Sequence, residues 1–241
     1  MIKINNIDKQ FGQNKVLNGF KLELQKNEII ALVGISGCGK TTLLRIVAGF
    51  EQPDKGYVEI DQKKASTPDF MIKPHERNIS MIFQDLALWP HMNVEKHLIF
   101  ACKNRQLTKT NLQTTLSEIL ESVKLSGYNK RYPHELSGGE KQRLSIARAL
   151  SSRSNYLLMD EPFSSIDNIL KDDLHKLIIK IKKDYHMGII YVTHNIDDAL
   201  HIADRIAIIQ NGTIVQIDKG DALLNNPKND FVHRMIQGSK R

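Results

Sequence analysis

Glycines at positions 34, 37 and 39, with Lys40 and Thr41 after them, lie between two apolar segments of different character. Ile29-Ile30-Ala31-Leu32-Val33 is a short unbroken apolar run and predicts a strand buried on both faces. Leu43-Leu44-Arg45-Ile46-Val47-Ala48 predicts a helix closed by Gly49 just past its end. Strand, Gly-x-x-x-x-Gly-Lys-Thr and helix form the setting of a phosphate-binding loop. The residue types follow from the chemistry. Glycines let backbone N–H groups close around phosphate oxygens, and the helix N-terminus adds free donors and partial positive charge. Lys40 supplies a full charge, and the Thr41 hydroxyl is a hard ligand suited to Mg²⁺. Gly34, Ile35, Ser36, Gly37, Cys38, Gly39, Lys40, Thr41 and Thr42 are therefore candidate nucleotide contacts. Cys38, at a helix N-terminus, is placed where a thiol becomes more acidic, so alkylation there is expected to compete with nucleotide.

A chain of 241 residues is long enough for one large α/β domain or a domain with an insertion. No apolar run reaches the roughly 18 residues a spanning helix needs. Met1-Ile2-Lys3-Ile4-Asn5 alternates like a strand and has no signal-peptide core. A cytosolic chain, or one held at a membrane by a partner, is expected. The net charge of +7 suits an anionic ligand or surface, but no basic block points to a nucleic-acid tail. Two cysteines offer neither a disulfide framework nor a metal cluster, and a reducing compartment fits.

Residues 2–7, 20–24 and 56–60 read as strands of a mixed sheet beside Ile29–Val33, with Phe11-Gly12 as a turn that presents an aromatic ring. Ile79–Phe83 reads as a buried strand ending at Gln84. Residues 85–151 then turn helical: 94–102, 112–123 with Thr110 or Asn111 as cap, and a helix starting at Ser137. This stretch reads as a helical insertion, with 1–84 and 152–241 as the core. Tyr156–Asp160 and Ile189–Thr193 are further buried strands. They flank a helix bearing Ile169, Leu170, Leu174, Leu177, Ile178 and Ile181, with Gly188 ending the helical region. A short helix over 197–203 leads to a hairpin of 205–210 and 213–217 turned at Asn211-Gly212.

Two more stretches carry chemistry. A carboxylate at a strand end beside a phosphate loop holds Mg²⁺, which suits Asp160, and the adjacent Glu161 is placed to polarise an attacking water. Leu136-Ser137-Gly138-Gly139-Glu140 opens a helix with a Ser cap and two glycines, leaving donors for an anion. Alone it reads equally well as a capping box of Ser137 and Glu140.

Gly34–Thr42, Leu136–Glu140 and Leu157–Pro162, in that order and spacing, resemble the ATP-binding subunit of ABC (ATP-binding cassette) transporters over residues 2–225. The resemblance implies a P-loop NTPase fold with mixed sheet, an N-terminal antiparallel β part and an inserted α-helical subdomain. It also implies ATP and Mg²⁺ as ligands. Gln84 is similar to a glutamine that touches Mg²⁺, and His194 to a switch histidine on the γ-phosphate. Phe11 is similar to an aromatic stacked on adenine, with Val16 beside it. Ser164-Ser165-Ile166-Asp167 is similar to the D-loop that crosses a dimer interface. Without the family, Gln84 and His194 would read as strand-end residues and Phe11 as core. Glu140, Asn195 and Ser165-Ile166 depart mildly from the common pattern, which leaves the rate in question rather than the activity.

The resemblance further implies a dimer in which Leu136–Glu140 of one subunit faces the phosphate loop of the other. It implies membrane permease subunits, an extracytoplasmic solute-binding protein and a peripheral place on the cytoplasmic face of the inner membrane. Arg77–Met92 resembles importer cassettes of the sugar, polyamine, iron and oxyanion groups, with Trp89 near the permease-docking groove. Many of these carry a further C-terminal domain of about a hundred residues, for which this chain ends too soon. ABC ATPases of DNA repair insert coiled coils or zinc modules, and translation factors carry two cassettes; the sequence favours neither.

Overall fold

The computed structural model describes residues 1–102, 108–164 and 166–237. Ser165 and the side chain of Ile169, both named above, lie outside the described residues. The apolar segments form two sheets. Strands β1 (Ile2–Phe11), β2 (Asn14–Leu24), β4 (Lys55–Ile60) and β5 (Lys63–Ser66) pair antiparallel in the order β2-β1-β4-β5. They pair with one another rather than beside Ile29–Val33, and the first two run longer than their apolar cores suggested. The polar β5 has no apolar alternation to announce it.

The second sheet has the order β10-β9-β3-β8-β7-β6, built from β3 (Ile29–Val33), β6 (Ile79–Ile82), β7 (Tyr156–Asp160), β8 (Gly188–Thr193), β9 (Arg205–Gln210) and β10 (Thr213–Asp218). β10 runs antiparallel to β9, and the other five strands are parallel. Every residue of β3, β7 and β8 is buried, as continuous apolar runs require of strands covered on both faces. β6 is an edge strand with three of its four residues half-buried, so its burial was overread. Gly188 starts β8 instead of ending a helix. The helix before it stops at His186, in the left-handed region at φ 51°. A side chain at Gly188 would meet the Tyr156 ring at 2.9 Å and the Gln25 carbonyl at 2.6 Å.

Helix α1 (Lys40–Ala48) follows β3, and α2 (Val94–Cys102), α3 (Lys109–Ser122) and α4 (Gly138–Ser151) lie between β6 and β7. The α3 cap is Thr108, whose hydroxyl accepts from the Asn111 N–H, rather than Thr110 or Asn111. α5 (Asn168–Tyr185) and α6 (Ile196–Ile202) flank β8, and α7 (Gly220–Asn225) and α8 (Asp230–Gln237) close the described chain. No helix among the described residues is long and apolar enough to cross a membrane. The pleat divides the core: Ile29, Ala31 and Val33 pack with α2–α6, while Ile30 and Leu32 pack with α1 and the antiparallel sheet.

Parallel register decides where function can sit. Val33 pairs with Thr193, Val192 with Asp160 and Met159 with Ile82. The residues just past these strand ends, at 34, 194, 161 and 83–84, therefore emerge along one edge, where ligands bind in open α/β sheets.

Candidate functional site

At that edge the chain after β3 wraps into the glycine loop, and two of its glycines are forced by packing. A Cβ on Gly34 would lie 2.6 Å from the Ile209 carbonyl, and one on Gly39 (φ 102°) 2.7 Å from the Val16 carbonyl. Lys40 is buried, and its ammonium donates to the Gly34 and Ile35 carbonyls at 2.7 and 3.0 Å. The Thr41 hydroxyl donates to Asp160 Oδ1 at 3.1 Å, which joins α1 to the end of β7. Burial pushes the Asp160 carboxyl above its ordinary range and neighbouring Glu161 adds to the rise, while Thr41 and Lys40 oppose it.

Glu161 adopts φ 43°, a left-handed conformation that costs a non-glycine residue energy and recurs at functional sites. Its N–H donates to the Val192 carbonyl at 3.1 Å, which turns the side chain out of the sheet. Glu161 Oε2 then accepts from His194 Nδ1 at 2.9 Å, which fixes the proton of a neutral imidazole on Nδ1.

Phe11, Val16, Ser36, Gly37, Gly39, Lys40, Thr41, Thr42, Gln84 and Glu161 line one cleft of about 400 Å³. Phe11 ends β1 half-exposed, and Lys9 Nζ lies over its ring, 5.2 Å from the centroid. Gly34, Ile35 and Cys38 are not on the cleft wall. Cys38 is only 6% exposed and Ile35 points to solvent, so the expected reactivity of Cys38 is opposed by burial.

Leu136–Glu140 lies elsewhere. Ser137 caps α4, its hydroxyl accepting from the Glu140 N–H at 3.3 Å while Glu140 Oε2 accepts from the Ser137 N–H at 2.7 Å. That backbone bond holds the Glu140 carboxyl below its ordinary range. A Cβ on Gly139 would lie 2.4 Å from Leu170 Cδ2, so the glycine lets α4 approach α5. None of these five residues lines the cleft within the same chain. Asp167 caps α5 through the Leu170 N–H at 3.0 Å, and Ser164 shares a small crevice with Glu161 and His194.

Past Gln84, Leu86 and Ala87 both have positive φ, and Arg148 donates to both carbonyls. Trp89 stacks on buried His97 at 5.5 Å, meets Phe100 edge-on at 4.9 Å and receives the Arg148 guanidinium at 5.3 Å. Sequence reasoning missed Arg148 and His97 here, and also Lys171 and Asp198 in the crevice beside Glu161. The partners of Arg148, Lys171 and Asp198 lie on other elements, so no local spacing marks them, while His97 bonds to Asn93 and Trp89 just before its own helix.

The family profile described as ABC transporter matches residues 17–164. The spermidine/putrescine import ATP-binding protein PotA of Chromobacterium violaceum is 40% identical over 96% of this chain and 63% of its own length. The sulfate/thiosulfate import ATP-binding protein CysA of Pectobacterium atrosepticum is 38% identical over 100% of this chain and 73% of its own. The chain thus spans less than two thirds of the polyamine relative's length. Among solved structures, a nucleotide-free ATP-binding cassette from an ABC transporter superposes with TM-score 0.85 at 25% identity, covering 98% of both chains. A dimeric ABC transporter cassette superposes with TM-score 0.80 at 26% identity, covering 91% of this chain and 98% of that one. With the profile matching most of the chain and relatives near 40% identity along nearly all of it, the chain belongs to the ABC transporter family.

Proposed function

We propose that this chain is the ATP-binding and ATP-hydrolysing subunit of an importer, working as a dimer that drives separate membrane permease subunits. The observation that carries this reading is the cleft itself. Phosphate donors, an exposed aromatic and the Glu161 carboxylate meet in it, His194 reaches that carboxylate from the adjoining crevice, and Leu136–Glu140 stays outside. Phe11 would stack on the adenine with Val16 beside it, and the N–H groups of Ser36, Gly37 and residues 39–42 would cradle the phosphates. Lys40 would exchange the Gly34 and Ile35 carbonyls for phosphate oxygens. The Thr41 hydroxyl, Asp160 carboxylate and Gln84 amide are hard oxygen donors that fit Mg²⁺, which neutralises phosphate charge when bound.

Glu161 accepts the proton of the attacking water as the water oxygen bonds to the γ-phosphorus and the bridging P–O bond breaks, its electron pair leaving on ADP, and His194 holds that carboxylate in place. Ser137 and Gly139 of a second copy would supply the missing donors, with Ser164 and Asp167 at the seam. Residues 85–151 would form the helical part that meets the permease, with Trp89 at the contact, and the rest the nucleotide core. The names of the relatives, import ATP-binding proteins, support uptake as the direction. A place at the cytoplasmic face of the inner membrane and a solute-binding protein outside complete the proposed assembly. Glu161→Gln tests the assignment: ATP binding persists while turnover falls by roughly 10²–10⁴. Wild-type turnover in that variant would contradict it. Permease subunits co-purifying from membranes would test the partner.

A further inference from the structure

The residues on either side of His194 are both tied down, and the ties meet at a buried ion pair outside the nucleotide cleft. Thr193 Oγ1 accepts from the Asn195 N–H at 3.0 Å and donates to Asp198 Oδ2 at 3.5 Å. Asn195 in turn caps α6 through the Asp197 N–H at 2.8 Å. Asp198, 8% exposed on α6, takes Lys171 Nζ at 3.4 Å on both carboxylate oxygens. Lys171 stands in the first turns of α5, where its N–H donates to the Asp167 carbonyl at 3.0 Å. A continuous path thus runs from Asp167 through Lys171, Asp198 and Thr193 to His194, and from there to Glu161.

Ser164, Glu161, His194, Lys171, Thr193 and Asp198 also line a narrow crevice of about 30 Å³, room for one water. An ion pair taken this far out of water gains little net stability, because desolvation offsets most of the attraction. Its effect is to fix geometry. We propose that Lys171 and Asp198 are a positioning pair that holds the His194 imidazole on Glu161 and ties its setting to Asp167 at the start of α5. This rests on the reading of Glu161 as the general base.

The test uses the full chain with labelled histidines, the His194 signal being assigned with His194→Gln. Asp198→Asn keeps the side-chain shape and Lys171→Met shortens it by one atom, and each removes one charge. Both are expected to move the His194 imidazole nitrogen signals without nucleotide present. Both should lower kcat for ATP by about tenfold or more while KM stays within about twofold, as misplacement of a reacting group does. Lys171→Arg, which keeps the charge, should restore signals and rate. A lower melting temperature with His194 signals and kcat at wild-type values would overturn the proposal, as would a raised KM with kcat unchanged. Should Lys171→Met not fold, Asp198→Asn gives the same readings. A wild-type protein that binds ATP without turnover would count against Glu161 as base, while the His194 signals would still decide the positioning role.

Discussion

Arg77 holds together the side of the molecule remote from the cleft, and its replacement should be costly for a reason that can be worked out. It is 7% exposed and has no acidic partner among the described residues. Its guanidinium donates to the carbonyls of Ile72 at 2.9 Å, Ile46 at 3.1 Å, Val47 at 2.7 Å and Ala65 at 2.7 Å, and to Ser66 Oγ at 2.7 Å. Ile46 and Val47 close α1, where a cation also meets the negative end of the helix dipole. Burial lowers the Arg77 pKa to about 10, so the cation is retained because the carbonyls surround it. Arg77→Met fills similar volume with no donor. Ile46 and Ala65 keep second donors, and Val47 and Ile72 bear most of the loss. At about 1 kcal/mol net per bond, and more where a carbonyl stays buried, the loss comes to about 3–5 kcal/mol. Denaturant melts should show it, with a melting temperature lower by roughly 10 °C. Arg77→Lys, able to reach only some of these oxygens, should fall between. Arg77→Met within about 1 kcal/mol of wild type would refute the reasoning.

Three other outcomes follow from buried groups. His97 and His175 are both held below the ordinary histidine pKa, first of all by burial, so each is neutral in the native state. Below about pH 6.5 the unfolded chain takes up protons that the native state refuses. Stability should therefore be full above that pH and fall as pH drops, by up to about 1.4 kcal/mol per unit for each imidazole. His175 finds no hydrogen-bond partner among the described residues and packs against Phe163 and Tyr191. His175→Phe should therefore hold stability at pH 7 and flatten the slope between pH 6.5 and 5.5 in melts. An unchanged slope would contradict this. Thiol labelling of the native protein should find Cys38 slow and release it only on unfolding, since it is buried against Lys40 Nζ at 3.8 Å. Rapid labelling in the native state would reverse that expectation. Gly139→Ala should weaken the α4–α5 contact, because Leu170 occupies the space of the new methyl, and fluorescence melts should show a loss of about 1–3 kcal/mol.

What the sequence made legible was what local pattern encodes. Unbroken apolar runs marked β3, β7 and β8, and glycine spacing marked the loop, because both depend on near neighbours. The polar Lys63–Ser66 strand was invisible, since its pairing with Val58–Ile60 supplies what its side chains do not announce. Gly188 was misread because its need for space comes from Tyr156 and Gln25, far along the chain. Lys171 and Asp198 gave no sign for the same reason: an ion pair between two helices leaves no spacing in either. The cap of α3 was missed by a few residues, because several polar residues in a row compete for that place.

The proposed function requires two chains for a complete ATP site, which sedimentation of Glu161→Gln with ATP can decide. A monomer is expected without ATP and, with ATP, a dimer holding about two nucleotides, one per shared site. Adding Ser137→Arg should leave ATP binding intact and abolish the dimer. A double variant that dimerises like its parent, or single chains whose ATP turnover does not depend on protein concentration, would contradict it.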